Sequence, residues 1–174
     1  MADTPDRIDL GRHRELAGRS RETHARYVVL AVIGAIVVLG LLNVFGQRPS
    51  TQTGSAARAT LEIRGPTRVR GGLLYETRMT VRAQRPLRHA VLQLAPGWAE
   101  GQQLNTVEPS PLAERSRNGS LLFTLGAIPA GGHYTLYLEF QVNPTNVGRR
   151  STDVALYDGN DRLLTIHRTI TVFP

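Results

Sequence analysis

An uncharged run of twenty residues, from Tyr27 to Gly46, constrains this 174-residue chain more than any other feature. The run reads YVVLAVIGAIVVLGLLNVFG, and an α-helix built from it has no charged face. At about 1.5 Å per residue such a helix is about 30 Å long, which matches the hydrocarbon core of a bilayer. A core helix of a soluble domain rarely runs this far without a polar face. The sequence therefore predicts one transmembrane helix at residues 27–46.

A cleaved signal peptide is the alternative to a membrane anchor. The apolar region of such a peptide usually has about 7–15 residues and follows a short charged leader. Here the apolar run is longer and the leader occupies residues 1–26. An Ala-x-Ala pattern occurs at Ala57–Ala59, but it lies well beyond the end of the run. We therefore favour an uncleaved anchor.

Arginine residues on either side of the run predict its orientation. The fifteen residues before it contain five arginines and the fifteen after it contain two. Positively charged residues tend to remain on the cytoplasmic side of a transmembrane helix. We therefore expect a single-pass protein of the cytoplasmic (inner) membrane. Its N-terminal arm, residues 1–26, would lie in the cytoplasm and its C-terminal domain would lie outside.

A polar segment follows the predicted helix. Residues 47–57 read QRPSTQTGSAA and are rich in Ser, Thr, Gln and Gly, a composition typical of flexible linkers. As a random coil, eleven such residues reach roughly 18 Å. The sequence thus predicts a flexible tether that keeps the domain beyond it, residues 58–174, close to the membrane.

From Arg58 onwards the apolar residues recur with a period of two. The clearest run is Tyr134–Val142, and Gly, Pro and Asn turns separate seven or eight such segments. No segment shows a helical period. This pattern predicts an all-β domain, an antiparallel β-sandwich of immunoglobulin-like architecture. Arg168 interrupts the apolar face of the last predicted strand, Leu163–Phe173, and we expect a bulge or an edge position there.

Two segments resemble a bacterial extracytoplasmic immunoglobulin-like domain of the conserved-repeat type. In that type an apolar strand ends at Pro-Gly-Trp, and Leu-Gly-x-Ile-Pro-Ala-Gly precedes a long alternating strand. The matching residues here are Pro96–Trp98 and Leu125–Gly131. The resemblance extends over residues 60–173 and implies a fold. It also implies an accessory role in surface and membrane proteins, and it brings no catalytic residues.

No motif in the sequence predicts catalysis, a metal site or a cofactor. The chain has no cysteine and its five histidines are scattered. It has no G-x-S-x-G, no phosphate-binding glycine loop and, since lysine is absent, no S-x-x-K. Asp158 and Asp161 share a loop, but two carboxylates without EF-hand spacing favour a solvated hairpin over a calcium site. We therefore expect a protein that is not an enzyme and binds neither metal nor cofactor.

Four residues are candidates for an interaction surface: Arg64, Arg78, Arg82 and Trp98. Seven arginines lie within residues 64–88, opposed only by Glu76. Arg78 and Arg82 share one face of a strand, and Arg64 joins them if its strand pairs with theirs. Such a face either contacts lipid phosphates or an acidic protein, or is ordinary solvated surface. Trp98 either stacks on a ligand or caps the core at a turn.

These features predict a non-catalytic, membrane-anchored accessory or interaction protein. We expect it to serve as a subunit of a membrane or envelope complex, with a membrane protein or an envelope component as partner and no nucleic acid. The alternative is a binding module for an envelope polymer or a small ligand, using the Trp98 loop or the arginine face. An envelope assembly or division protein is a third possibility, but such proteins often have a βαβ outer domain and no helix is predicted here.

Overall fold

The computed structural model describes residues 20–44 and 46–174. Most of the predicted cytoplasmic arm, residues 1–19, lies outside the described residues. The chain divides into two compact units, with the boundary between Val44 and Phe45. The first unit contains one helix and the second contains every strand of the described chain.

Helix α1 spans Ser20–Leu41 and therefore begins before the uncharged run and ends within it. Its side chains are exposed from Thr23 onwards, and Thr23–Leu41 is long and apolar enough to cross a membrane. The helix ends in a hydrogen-bonded C-terminal cap. Asn43 adopts a φ of 52°, its N–H bonds to the carbonyl of Gly40, and the N–H of Val44 bonds to that of Leu39. This pair of bonds is the Schellman arrangement that commonly terminates helices.

The second unit contains thirteen strands in residues 46–174, more than the seven or eight that the sequence predicts. Their bounds are β1 Pro49–Ser55, β2 Ala59–Pro66, β3 Arg68–Arg70, β4 Leu74–Ala83, β5 Leu87–Leu94, β6 Gln102–Glu108, β7 Ala113–Arg117, β8 Ser120–Ile128, β9 His133–Val142, β10 Gly148–Ser151, β11 Val154–Asp158, β12 Asp161–Ile166 and β13 Thr169–Phe173. The additional strands are mostly short or polar segments, such as β3, β7 and β10, in which side-chain alternation is weak.

The strands form three hydrogen-bonded sheets. The first has the order β1-β2-β4-β9-β6, the second β12-β11-β5-β8-β7 and the third β10-β13-β3. All neighbouring strands are antiparallel except β13 and β3, which are parallel. The predicted fold class, an all-β antiparallel sandwich of immunoglobulin-like architecture, is confirmed, as is the apolar helix that precedes it.

Side chains that alternate along the strands form the core. On β9, Leu136, Leu138 and Phe140 are buried while Tyr137 and Gln141 are exposed. Apolar side chains of the second and third sheets complete the same core cluster, among them Leu92, Leu94, Phe123, Leu156, Ile170 and Val172. The period of two in the sequence thus corresponds to one inward and one outward face on the long strands.

The structure corrects the prediction of a flexible tether at residues 47–57. Within this segment, Pro49–Ser55 forms β1 and pairs with β2 along seven residues. Its polar composition is compatible with an edge strand, because the ladder is made by backbone groups. Gly54 also lies so close to Ile166 that a Cβ atom there would approach that side chain to 2.9 Å. The sandwich therefore begins at Pro49, nine residues earlier than position 58.

The segment predicted as one final strand, Leu163–Phe173, is divided in two. β12 ends at Ile166 in the second sheet and β13 begins at Thr169 in the third. The two residues between them, His167 and Arg168, carry the chain from one sheet to the other. The interruption of the apolar pattern at Arg168 therefore marks a change of sheet, and the expected bulge is replaced by a break between strands.

We predict that Leu138→Ala lowers the free energy of unfolding by about 2–5 kcal/mol, since it leaves a cavity in a fully buried position. Gln141→Ala, three residues further along β9 on the exposed side, should change it by less than about 0.5 kcal/mol. Denaturant unfolding of the two variants measures both values. Equal losses in the two variants would contradict the assignment of the inward and outward faces.

Candidate interaction surface

The register of the first sheet brings together three of the four candidate residues. Arg64 on β2 lies directly opposite Arg78 on β4, and Arg82 lies four residues further along β4. All three side chains point away from the core, since Arg64 and Arg82 are exposed and Arg78 is half-buried. Like charges directly opposite each other on neighbouring strands repel, so this pair contributes nothing to stability.

The same face also carries acidic side chains, which corrects the impression of a purely basic surface. Glu76 lies opposite Glu139 of β9, and Tyr137 lies between Arg78 on one side and Glu108 of β6 on the other. The arginines dominate residues 64–88 in the sequence. In the folded sheet, however, β9 pairs with β4 and β6 pairs with β9, so Glu139 and Glu108 join the same face. The face of the folded sheet is therefore of mixed charge.

A shallow depression lies on this mixed face. It has a volume of about 290 Å³ and is lined by Pro49, Arg64, Gly65, Glu76, Arg78 and Tyr137. Tyr137 is 38% exposed, so its ring is accessible beside two guanidinium groups. Cationic groups, a carboxylate and an aromatic ring together are suited to recognising a polar partner by hydrogen bonds and stacking.

Trp98, the fourth candidate, does not belong to this surface. It ends a short 3-10 turn, Pro96–Trp98, and its side chain is completely buried. Its indole N–H donates a hydrogen bond to the Thr152 carbonyl at 2.9 Å, and its ring centroid lies 5.2 Å from that of Phe140. A fully buried ring cannot stack on a ligand, so its role is to fill the core at the end of β5.

A buried arginine packs on the tryptophan ring. Arg168 is 2% exposed, and its guanidinium carbon lies 5.5 Å from the centroid of Trp98. Its Nη2 donates a hydrogen bond to the Pro66 carbonyl, while Nε and Nη1 have no hydrogen-bond partner among the described residues. Burial lowers the pKa of Arg168, because it disfavours the charged form. The cation–π contact offsets part of this cost.

Tyr75 belongs to the same buried cluster. Its ring stacks on Phe140 at 5.5 Å, and its hydroxyl donates a hydrogen bond of 2.6 Å to Gln102 Oε1. Burial raises the pKa of Tyr75 well above its usual value, since the phenolate would be poorly solvated. The phenol therefore stays neutral and structural. In the sequence Arg168 stands out only as an irregularity, because its contacts to Trp98 and Pro66 join distant parts of the chain.

Asp158, considered as a calcium ligand in the sequence, is an anchor of the fold. One carboxylate oxygen accepts the backbone N–H groups of Arg88 and His89, both at 2.8 Å, and the other pairs with Arg58. Burial alone would raise the pKa of Asp158, but these hydrogen bonds and the arginine lower it overall. Asp161 is exposed. Among the residues that the structure describes, no three His, Asp or Glu side chains are grouped to hold a metal ion.

Comparisons with known proteins give a likeness of fold. No protein-family model and no curated protein matches the chain. Among solved structures, the CARDB domain of a Pyrococcus furiosus protein in complex with di-metal ions is similar at 16% identity and a TM-score of 0.44. The match covers 71% of this chain and 95% of that one. That domain is immunoglobulin-like, and the likeness is one of fold only.

Two glycosidases are similar over part of their length. They are a GH20 exo-β-N-acetylglucosaminidase from Vibrio harveyi, at 12% identity and a TM-score of 0.34, and a β-glucosidase from Listeria innocua, at 14% identity and 0.33. Each match covers 74% of this chain but only 18% and 16% of the respective enzyme.

We predict that the intrinsic fluorescence of Trp98, the only tryptophan, is blue-shifted relative to free tryptophan and resists quenching by iodide. Trp98→Phe should cost about 1–3 kcal/mol of unfolding free energy, because the Thr152 carbonyl loses its donor in a buried site. A solvent-like emission spectrum together with unchanged stability of Trp98→Phe would instead place this side chain at the surface.

Proposed function

We propose that this protein is a non-enzymatic, membrane-anchored accessory subunit that presents an immunoglobulin-like sandwich outside the cytoplasmic membrane. The observation that carries the proposal is helix α1, whose large apolar side chains between Tyr27 and Leu41 are exposed. Exposing about a dozen such side chains to water would cost on the order of 20 kcal/mol. Transfer of these side chains from water into the hydrocarbon core of a bilayer recovers that free energy, so a bilayer is the natural environment of this helix.

The arrangement of charges supports an orientation with the N-terminus in the cytoplasm. Five arginines lie in the fifteen residues before residue 27, against two in the fifteen after residue 46. This bias favours retention of the N-terminal arm and export of the sandwich.

The surface of the sandwich supports recognition of another protein rather than chemistry. Burial raises the pKa of Tyr75 and lowers that of Arg168, and packing accounts for both side chains. The outward face of the first sheet presents Arg78, Glu76 and Tyr137, a mixture typical of non-obligate protein interfaces. We therefore assign the partner to a neighbouring membrane or envelope protein.

A binding module for an envelope polymer or a small ligand is the second candidate. The depression of about 290 Å³ on the first sheet favours it, because Tyr137 offers a ring for stacking beside Arg64 and Arg78. Trp98 no longer contributes to this candidate, since its side chain is buried.

Affinity purification from membranes, with a tag after Pro174, tests the proposal. Wild-type protein should recover a stoichiometric integral membrane or envelope protein. Arg78→Glu with Arg82→Glu should lose it, because the double exchange reverses two charges on the recognition face. The matched control, Arg115→Glu with Arg117→Glu, makes the same charge change at exposed positions of β7 and should retain the partner.

Two outcomes would contradict the proposal, the first its accessory role and the second its recognition surface. Retention of the protein by isolated cell wall in the absence of a co-purified protein would favour the binding module. Recovery of the same partner by all three forms would show that the arginine face is not the recognition surface.

A further inference from the structure

Exposed apolar side chains of the sandwich are concentrated at one end. Among its described residues, the large apolar side chains with high exposure are Leu73, Leu74, Leu112, Tyr137 and Val147. Three of them lie at two loops or their margins. Leu73, 47% exposed, and Leu74, 51% exposed, lie at the first loop, residues 71–73 between β3 and β4. Val147, 51% exposed, ends the second loop, residues 143–147 between β9 and β10. Exposed leucine and valine side chains that cluster in this way mark a contact surface more often than isolated ones do.

The two loops are held together by backbone contacts. The N–H of Gly72 bonds to the Val142 carbonyl at 2.9 Å, and the N–H of Val142 bonds to the Leu73 carbonyl at 3.1 Å. Gly72 has a φ of 79°, and the turn it forms packs against Pro144 of the second loop. The leucines are therefore presented by an ordered turn between β3 and β4.

Val147 is brought to the same end by the third sheet. Val147 precedes Gly148 of β10, which pairs with Val172 of β13. The next residue of β13, Phe173, pairs with Arg70 of β3. The N–H of Gly71 also bonds to the Phe173 carbonyl at 2.8 Å. The ends of β3, β10 and β13 thus meet beside the leucine turn.

The chain enters the sandwich at this end. The side-chain amide of Gln47 donates a hydrogen bond of 3.1 Å to the Leu74 carbonyl. Gln47 comes six residues after Leu41, the last residue of α1, and six extended residues reach at most about 20 Å. The exposed leucines therefore lie beside the point where the chain enters the sandwich.

Arginine predominates in the segments that carry these apolar residues, and Glu76, two residues beyond Leu74 on β4, is the nearest acidic residue along the chain. Residues 66–75 contain Arg68 and Arg70, residues 142–151 contain Arg149 and Arg150, and neither segment contains an acidic residue. Arg150 is engaged by the carbonyls of Glu100 and Asn146, whereas Arg68, Arg70 and Arg149 are exposed. Apolar side chains with arginines nearby match the interface of an anionic bilayer, where acyl chains lie below phosphate groups.

We propose that this end of the sandwich, comprising Leu73, Leu74, Val147 and the surrounding Arg68, Arg70 and Arg149, docks on the surface of an anionic lipid bilayer. The inference rests on the proposed membrane anchoring by α1 and specifies a contact beyond the helix itself. The leucines and the valine insert shallowly at the headgroup boundary, and the arginines bind lipid phosphates.

The full-length chain, which contains no natural cysteine, allows single-site labels to test this docking. Leu73→Cys and Val147→Cys report on the proposed surface, each labelled with a polarity-sensitive fluorophore. Ala130→Cys is the matched control, because Ala130 lies beyond the opposite end of the ten-residue strand β9, about 30 Å away at about 3.3 Å per residue. Each labelled chain is placed in nanodiscs of phosphatidylcholine with or without phosphatidylglycerol, and a spin-labelled lipid serves as quencher.

We expect the labels at positions 73 and 147 to be quenched in nanodiscs with phosphatidylglycerol and the label at position 130 to be spared. Arg68→Gln with Arg70→Gln should shift the docking equilibrium by roughly 25-fold, about fivefold for each arginine charge near the surface. Arg85→Gln with Arg88→Gln, which removes two exposed arginines beside the far end of the sandwich, should leave quenching unchanged. Thermal unfolding of each variant verifies that it is folded.

The results separate this inference from the proposed anchoring. A chain that is incorporated into the nanodiscs but shows equal quenching at positions 73 and 130 would overturn the docking and leave the anchor intact. Quenching that is insensitive to phosphatidylglycerol or to the Arg68 and Arg70 exchanges would overturn the role of anionic lipid. A chain that is not incorporated into nanodiscs would overturn both proposals.

Discussion

The packing of Arg168 on Trp98 occupies the position where the chain changes from one sheet to another. Backbone groups of Arg168 bond to the carboxylate of Asp153 at 3.0 Å and to the N–H of Thr152 at 2.7 Å. Thr152 in turn accepts the indole N–H of Trp98. These contacts join the connection between β12 and β13 to the turn after β5, around the buried ring of Trp98. Both Trp98 and Arg168 are shielded from water at this crossing.

Asp153 reinforces the crossing from its exposed side. Its second carboxylate oxygen lies 2.9 Å from His167 Nδ1. Burial alone would raise the pKa of Asp153, but the hydrogen bonds from Arg168 and His167 lower it overall. Since the folded pKa is depressed, the carboxylate contributes stability at neutral pH and loses it as the pH falls through that pKa. The buried guanidinium of Arg168 and the carboxylate of Asp153 thus both help to fix the two residues, His167 and Arg168, that connect β12 to β13.

The sequence predicted the elements that depend on periodicity and failed where distant segments meet. The uncharged run predicted an apolar helix, and alternation on β9 predicted Leu136, Leu138 and Phe140 as buried. The polar composition of β1 concealed a strand, because a backbone ladder needs no apolar side chains. Glu139 gives the arginine face a mixed charge, because β9 pairs with β4. This pairing cannot be deduced from the order of residues in the sequence.

Of the four candidate residues for an interaction surface, three follow from periodicity and the fourth depends on contacts between distant segments. Arg64, Arg78 and Arg82 share a face because the register follows from alternation once β2 and β4 pair. The sequence favours a core-capping role for Trp98 at a turn and leaves a ligand-stacking role open. Its burial depends on Phe140 and Arg168, which approach it from other strands.

Reporter fusions after Pro174 test the proposed membrane topology of this protein. A reporter that is active only outside the cytoplasm should be active at this position in the full-length chain. It should become silent when residues 27–46 are deleted, because export then lacks its apolar segment. A reporter that is active only in the cytoplasm should be silent at the same position. If instead the cytoplasmic reporter is active and the external reporter is silent in the undeleted chain, the sandwich lies in the cytoplasm and the proposed topology is contradicted.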